Sequence, residues 1–127
     1  MSTENRWAVF ASENMVMAEA AHQLHVWNQV CLHAHHAATQ FLKAFLAQRH
    51  RPIPQVKHLA ELLALCAEAD HELERFEDGC YTLDRYLIPL TYADAIPSSQ
   101  ASSLPTEKDA SEALAIAQNL RDALHIH

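Results

Sequence analysis

Three histidines lie within four consecutive positions of this chain, at His33, His35 and His36. Imidazole titrates near neutral pH and binds zinc, so such a cluster could serve acid–base catalysis or a metal site. A zinc site, however, needs three or four ligands that converge on one point. On a helix of 3.6 residues per turn, His33 and His36 share a surface and His35 diverges from them. We therefore predict no metal site and no cofactor, and interpret these histidines as the polar, partly solvated side of a helix.

The composition favours helices. The chain of 127 residues contains one glycine, and half of its residues are hydrophobic. Alanine and leucine, which dominate, lose little side-chain freedom in a helix. The length suits one domain with a real core, so we expect residues 1–127 to form a single helical domain.

Apolar residues recur every three or four positions along five segments, which predicts five amphipathic helices. The predicted helices cover about 4–24, Trp27–Arg49, Gln55–Ala69, Glu72–Leu87 and a last segment that Thr106 caps and that runs to Leu124.

Breakers separate these segments. Pro52 and Pro54 should end the second helix, and Pro89 the fourth. Gly79 lies inside the fourth pattern, which we attribute to a close approach of two helices. Residues 90–105 are rich in serine and proline and are predicted to form a loop. The pattern as a whole predicts an all-α fold, an up-and-down four-helix bundle with an additional C-terminal helix.

The charge balance disfavours binding of RNA or DNA. Sixteen acidic residues against nine basic ones give a formal net charge of −7, which repels a phosphate backbone. No apolar run approaches the ~20 residues that span a bilayer, and no secretory signal is visible at the start. Three cysteines without CxxC spacing are interpreted as buried thiols, so we predict a cytoplasmic protein rather than a membrane protein.

Short motifs along nearly the whole chain resemble, in order and spacing, those of HEPN-domain proteins, also described as nucleotidyltransferase substrate-binding proteins. They are Ala37-Ala38 with Leu42-Lys43, then Lys57-His58-Leu59, then Leu83-Asp84-Arg85-Tyr86-Leu87-Ile88-Pro89, then Tyr92-Ala93-Asp94-Ala95 with Pro97, and finally Glu112-Ala113-Leu114 with Ala117. The resemblance implies a helical domain that dimerises.

Many members of that family are metal-independent ribonucleases, often toxins paired with a small nucleotidyltransferase antitoxin. Their site is an arginine followed five positions later by a histidine, and two such motifs face each other across the dimer. Here Thr91 and Ile96 stand at those two positions, whereas Tyr92, Asp94 and Pro97 still match the loop. A guanidinium stabilises phosphorane charge and an imidazole moves a proton, and threonine and isoleucine do neither.

The resemblance also places the polar side of the second helix beside the family's dimer cleft. The residues predicted to line or bind at this cleft are His35, His36, Thr39, Lys43, Arg85, Tyr92 and Asp94. The first functional hypothesis is therefore a non-catalytic HEPN-like homodimer that binds a small nucleotidyltransferase. Dimerisation is also expected because a monomer would leave long apolar helix faces exposed.

Two alternatives remain open. The chain could be a ribonuclease whose catalytic groups have moved to Arg85 and His58, with His35 or His36 as further candidates. Against this, Arg85 could form a surface ion pair and His58 could cap the third helix. The other alternative is a nucleotide in the cleft between the long helices, its phosphate held by Lys43, Arg49 or Arg85.

Overall fold

The computed structural model describes the backbone of residues 3–91 and 104–126 and the side chains of residues 6–87 and 104–126. These ranges contain α1 (Thr3–Gln23), α2 (Trp27–Gln48), α3 (Leu59–Ala67), α4 (Glu77–Thr91) and α5 (Glu107–Leu124), with a 3₁₀ helix at His71–Phe76. No strand occurs within them. The predicted all-α bundle is confirmed.

Part of the predicted site cannot be located, because it falls outside the ranges given above. Most of the predicted loop, with Tyr92, Asp94 and Ile96, lies outside the described residues, as does the side chain of Thr91.

Helix α2 lies at the centre of the bundle and contacts all four other helices. Twelve of its 22 residues are buried, more than a single apolar stripe would bury. Phe41, Leu42 and Leu46 on α2 are fully buried and belong to one continuous core with side chains of the helices around them. This central position decides the environment of the α2 histidines.

Several predicted helix ends differ from the structure, three of them for a physical reason that the structure shows. Helix α3 begins at Leu59 rather than Gln55, because the backbone stays non-helical through residues 51–58 after the two prolines. The turn predicted to open the fourth helix at Glu72 is the 3₁₀ helix, where the Asp70 carboxylate accepts a hydrogen bond from the Glu72 amide. The prediction that Pro89 ends the fourth helix is wrong, since α4 continues to Thr91. Proline removes one hydrogen bond, but its fixed φ suits a helix.

Two other local predictions are confirmed. Thr106 caps α5 in a capping box, in which its hydroxyl accepts from the Asp109 amide and the Asp109 carboxylate accepts from the Thr106 amide. Gly79 marks a close approach of α4 to α5, because a Cβ there would lie 2.9 Å from Cγ2 of Ile116.

The three cysteines, Cys31, Cys66 and Cys80, are buried and unpaired, as predicted. Burial raises the pKa of each thiol to about 12, so none is a nucleophile at neutral pH. In the described ranges, no helix combines the length and the apolar character that a membrane span requires.

Helix α1 carries large apolar side chains on its outer side. Val16 is 63 % exposed and Leu24 is 74 % exposed. The exposed side chains that we call the α1 apolar face are Val9, Phe10, Val16 and Met17 of α1, with the adjoining Leu24 and Val26. Single exposed hydrophobic residues are ordinary on a protein surface, whereas a contiguous apolar patch favours an interaction site.

Candidate binding groove and the His35–Asp84 pair

An open groove runs between α3 and α4. It consists of two adjoining cavities, of about 660 and 230 Å³, that share Ala60, Ala64 and Tyr81 as walls. The larger cavity is also lined by His58, Glu61, Asp84 and Arg85, and the smaller by Leu63, Ala67, Glu74 and Glu77. We call the whole feature the α3–α4 groove.

The groove carries different charges along its length. Arg85 and His58 lie where α3 begins, and Glu77 lies in the cavity toward the start of α4. Between them the Tyr81 side chain is 57 % exposed, although its ring is large and apolar. The groove thus combines an aromatic side chain, a small-residue wall and charges of both signs, which suits recognition of another surface.

Asp84 holds the start of α3 from the neighbouring helix. Its Oδ1 accepts from the Leu59 amide at 2.9 Å, and its Oδ2 accepts from the Ala60 amide at 3.1 Å. These amides have no partner within α3, and the helix dipole favours a negative charge beside them. His58 has the backbone position of the cap, but its side chain makes no capping hydrogen bond. Asp84, rather than His58, therefore caps this helix.

His35 also binds Asp84. Its Nε2 lies 2.9 Å from Oδ1 of Asp84, and the residue is only 6 % exposed. An ionised carboxylate only accepts hydrogen bonds, so Nε2 is the donor. Burial raises the pKa of Asp84, but the hydrogen bonds from His35 and from the two α3 amides outweigh it and hold the pKa below its usual value.

The interpretation of His35 as a partly solvated surface histidine is therefore wrong. Because α2 is central, even its polar flank faces another helix, and α4 supplies the carboxylate that makes burial of this imidazole possible. Nδ1 of His35 is also buried, and no described group accepts from it or donates to it.

The other two clustered histidines lie elsewhere on α2. Nδ1 of the half-buried His33 lies 2.8 Å from Oδ1 of Asn14 on α1. His36 is exposed, as predicted, although neighbouring atoms cover part of its side chain. The desolvation of this covered part, followed by the charges of His35 and His33, lowers its pKa. The described ranges contain no group of three histidine, cysteine or acidic side chains that could hold a metal ion.

Three of the remaining predicted cleft residues, Thr39, Lys43 and Arg85, lie within the described residues. The Thr39 hydroxyl donates to the His35 carbonyl oxygen at 3.0 Å, and the Lys43 ammonium lies 4.9 Å from the centre of the Trp7 ring. Neither of them lines the α3–α4 groove, whereas Arg85 does. The surface ion pair considered for Arg85 is not found among the described residues.

Sequence reasoning did not select Asp84 or Tyr81 as site residues. A signal for Asp84 was present, because it stands at helical spacing among Cys80, Leu83 and Leu87 on the apolar side of the fourth helix. An acidic residue on such a stripe needs hydrogen-bond donors from another element. Nothing in the local pattern distinguishes Tyr81 from an ordinary surface tyrosine.

Comparison with known proteins agrees with this architecture. The model of the HEPN domain matches residues 5–127. The chain belongs to the HEPN family. The crystal structure of TT1696 from Thermus thermophilus is similar to this HEPN chain over 98 % of each, with 28 % identity and a TM-score of 0.86. The comparison with curated protein sequences gives no significant match.

Proposed function

We propose that this HEPN protein is a non-catalytic, dimeric binding module of the cytoplasm whose partner is a small nucleotidyltransferase. The observation that carries the proposal is the pair Thr91 and Ile96, which, by the resemblance of the loop around them, stand where ribonucleases of the family carry arginine and histidine. General acid–base help and electrostatic stabilisation each contribute roughly 10²–10⁴-fold to such a reaction, so loss of both groups removes it.

The environment of His35 supports a structural role for this histidine. A catalytic base must come within hydrogen-bond reach of the proton that it removes. His35 is buried, and its Nε2 is engaged with an Asp84 carboxylate that also accepts from the two α3 amides. This imidazole therefore holds α2 against α4, and it is not positioned for a phosphodiester in the groove.

The α1 apolar face is the surface on which we place the partner protein. It exposes aliphatic side chains such as Val16 and Leu24, which lie outside the α3–α4 groove. Burying such side chains is favourable by about 25 cal/mol per Å² of apolar area, so a carboxylate introduced there should weaken the complex.

The test is co-purification with a small nucleotidyltransferase encoded in the neighbouring reading frame. Val16→Asp should lower the recovered partner strongly, and Glu13→Gln, a polar change on the same helix, should leave it unchanged. Full recovery with Val16→Asp would reject this surface, and no complex with the wild-type chain would reject the nucleotidyltransferase as partner.

A ribonuclease with relocated groups is the second candidate, because Arg85 and His58 line the same cavity. Two carboxylates, from Glu61 and Asp84, line that cavity as well and disfavour a phosphate there. If this candidate holds, Arg85→Ala and His58→Ala each abolish cleavage of RNA in the presence of a chelator.

Nucleotide binding has less support. Of the three cations considered for a phosphate, Lys43 lies over the Trp7 ring and Arg49 lies 3.8 Å from the centre of the Phe45 ring. Only Arg85 of the three lines the groove. Calorimetric titration with nucleotides decides this alternative, and we expect no heat of binding.

A further inference from the structure

The α3–α4 groove combines an apolar middle with a predominantly acidic lining. Its middle consists of the small side chains of Ala60 and Ala64 and the exposed ring of Tyr81. The charged and titratable side chains that line it, among the described residues, are Glu61, Glu74, Glu77, Asp84, Arg85 and His58. Carboxylates therefore outnumber the basic groups, whether or not the imidazole is protonated.

The larger cavity of the groove has little uncompensated charge. The Asp84 carboxylate accepts hydrogen bonds from His35 and from the first two amides of α3. Arg85 lines the same cavity as Glu61, so its guanidinium offsets the charge of that carboxylate. The surplus of negative charge therefore lies in the smaller cavity.

The smaller cavity places two exposed carboxylates beside an aromatic ring. Glu74 and Glu77 line it, and its other described lining residues are uncharged. Among the described ion pairs, the one basic partner of these two carboxylates is the exposed His71, whose Nδ1 lies 3.5 Å from Oε1 of Glu74. The Tyr81 ring is a wall of the same cavity. Carboxylates attract a cation by charge, and the face of an aromatic ring attracts it as well.

We propose that the α3–α4 groove is a docking site for a short basic segment of another protein. A lysine or arginine side chain of that segment lies in the smaller cavity, beside Glu74 and Glu77 and against the Tyr81 ring. The rest of the segment lies along the alanine wall toward Arg85. This site goes beyond the proposed function, because the groove lies outside the α1 apolar face on which the nucleotidyltransferase is placed.

The dimensions of the groove and its single guanidinium favour a peptide over other ligands. Glu77 and Arg85 are eight residues apart on α4 and therefore lie about 12 Å apart along its axis. An extended chain covers this distance with about four residues. Its carbonyl oxygens accept hydrogen bonds from the Arg85 guanidinium, whereas a polyamine would bring a further cation there. The carboxylates disfavour the phosphates of a nucleic acid.

Fluorescence anisotropy of a labelled peptide measures the docking directly. The probe is a fluorescein-labelled, amidated peptide of alanine and serine with a central pair of lysines, and its control has glutamates in place of the lysines. The full wild-type chain should bind the lysine peptide and not the glutamate peptide. The Kd for the lysine peptide should rise with added salt, because salt screens contacts between exposed charges.

Substitutions in the smaller cavity test the location. The double variant Glu74→Gln with Glu77→Gln should weaken binding of the lysine peptide about tenfold, and Tyr81→Ala about fivefold. The matched control, Glu13→Gln with Glu112→Gln, removes the same charge from exposed positions on α1 and α5 and should keep Kd within about twofold of the wild type. Circular dichroism checks that each variant keeps its helices.

Three results would overturn the proposal. A wild-type chain that binds neither peptide has no such site. Equal weakening in the two double variants would mean that the peptide follows the net charge of −7 rather than the groove. Putrescine, a diamine that also carries a pair of ammonium groups, should bind more weakly than the lysine peptide, and equal or tighter binding would reject a peptide as the occupant.

Discussion

At the scale of single residues, Asp84 joins three helices. Its carboxylate, on α4, binds the imidazole of His35 on α2 and the first two amides of α3. The sequence shows that His35 belongs to a long helix, but not that it is buried. Its partner lies 49 positions away in the chain, and helical periodicity carries no information on which side chains meet across such a separation.

Removal of the Asp84 carboxylate should be costly. Asp84→Ala leaves His35 and two helix amides without their acceptor, and we expect it to lower the free energy of unfolding by about 3 kcal/mol. Urea denaturation at pH 7 measures this loss, and Asp78→Ala, an exposed carboxylate on the same helix, should cost no more than about 0.5 kcal/mol. Because folding lowers the pKa of Asp84, its charge stabilises the fold at pH values above the pKa of aspartate in the unfolded chain. The difference in unfolding free energy between the wild type and Asp84→Ala should therefore shrink as pH falls below about 4. Equal losses for the two variants would contradict the capping role.

His36 should make the fold sensitive to mild acid. Burial, and then the neighbouring imidazoles, lower its pKa below 6.5 in the folded chain, so the unfolded chain binds its proton more readily. The stability that neutral His36 contributes is therefore fully present above about pH 6.5, the pKa of histidine in the unfolded chain. It is lost as the pH falls from there through the lower pKa of His36 in the folded chain. His36→Gln should therefore reduce the drop in unfolding free energy between pH 7 and pH 5. The folded pKa itself is read from the imidazole protons by NMR, and a value above 6.5 would refute this.

At the scale of elements, the helices themselves were predictable and several of their ends were not. Apolar periodicity located all five, and Thr106, predicted as the N-cap, gave the start of α5 correctly. The ends of α3 and α4 depend on the non-helical stretch after Pro52 and on Pro89, whose effect changes with its place in the last turns. A single-stripe interpretation of α2 failed because helices pack against several of its sides.

The contact of α4 with α5 can be tested at Gly79. In a helix, alanine is about 1 kcal/mol more favourable than glycine, but a Cβ at this position would lie 2.9 Å from Ile116 Cγ2, on a stiff β-branched side chain. We expect Gly79→Ala to lower the free energy of unfolding by about 1 kcal/mol, because overpacking costs about 1–3 kcal/mol. In an Ile116→Ala background the same change should become neutral or stabilising. Thermal or urea unfolding of the four proteins measures the cycle, and equal effects in both backgrounds would mean that Ile116 does not set the contact.

At the scale of the whole molecule, this HEPN fold presents the α1 apolar face and the α3–α4 groove as two separate surfaces. The α1 apolar face belongs to the start of the chain, whereas the α3–α4 groove is formed by residues 58–85. The family and the all-α fold were accessible from motif order and periodicity, since both extend over most of the chain. The α3–α4 groove could not be predicted from the sequence, because it arises where two helices meet. Only tertiary packing brings Tyr81 beside Ala60 and Ala64.

The central claim is that this HEPN chain, with Thr91 and Ile96 in place of arginine and histidine, does not cut RNA. The most direct measurement is incubation of the purified wild-type protein with single-stranded RNA and a chelator, with the products resolved by gel electrophoresis and mass spectrometry. We predict intact RNA at every time point. Cleavage that is lost in both Arg85→Ala and His58→Ala would contradict the claim and establish the relocated ribonuclease instead.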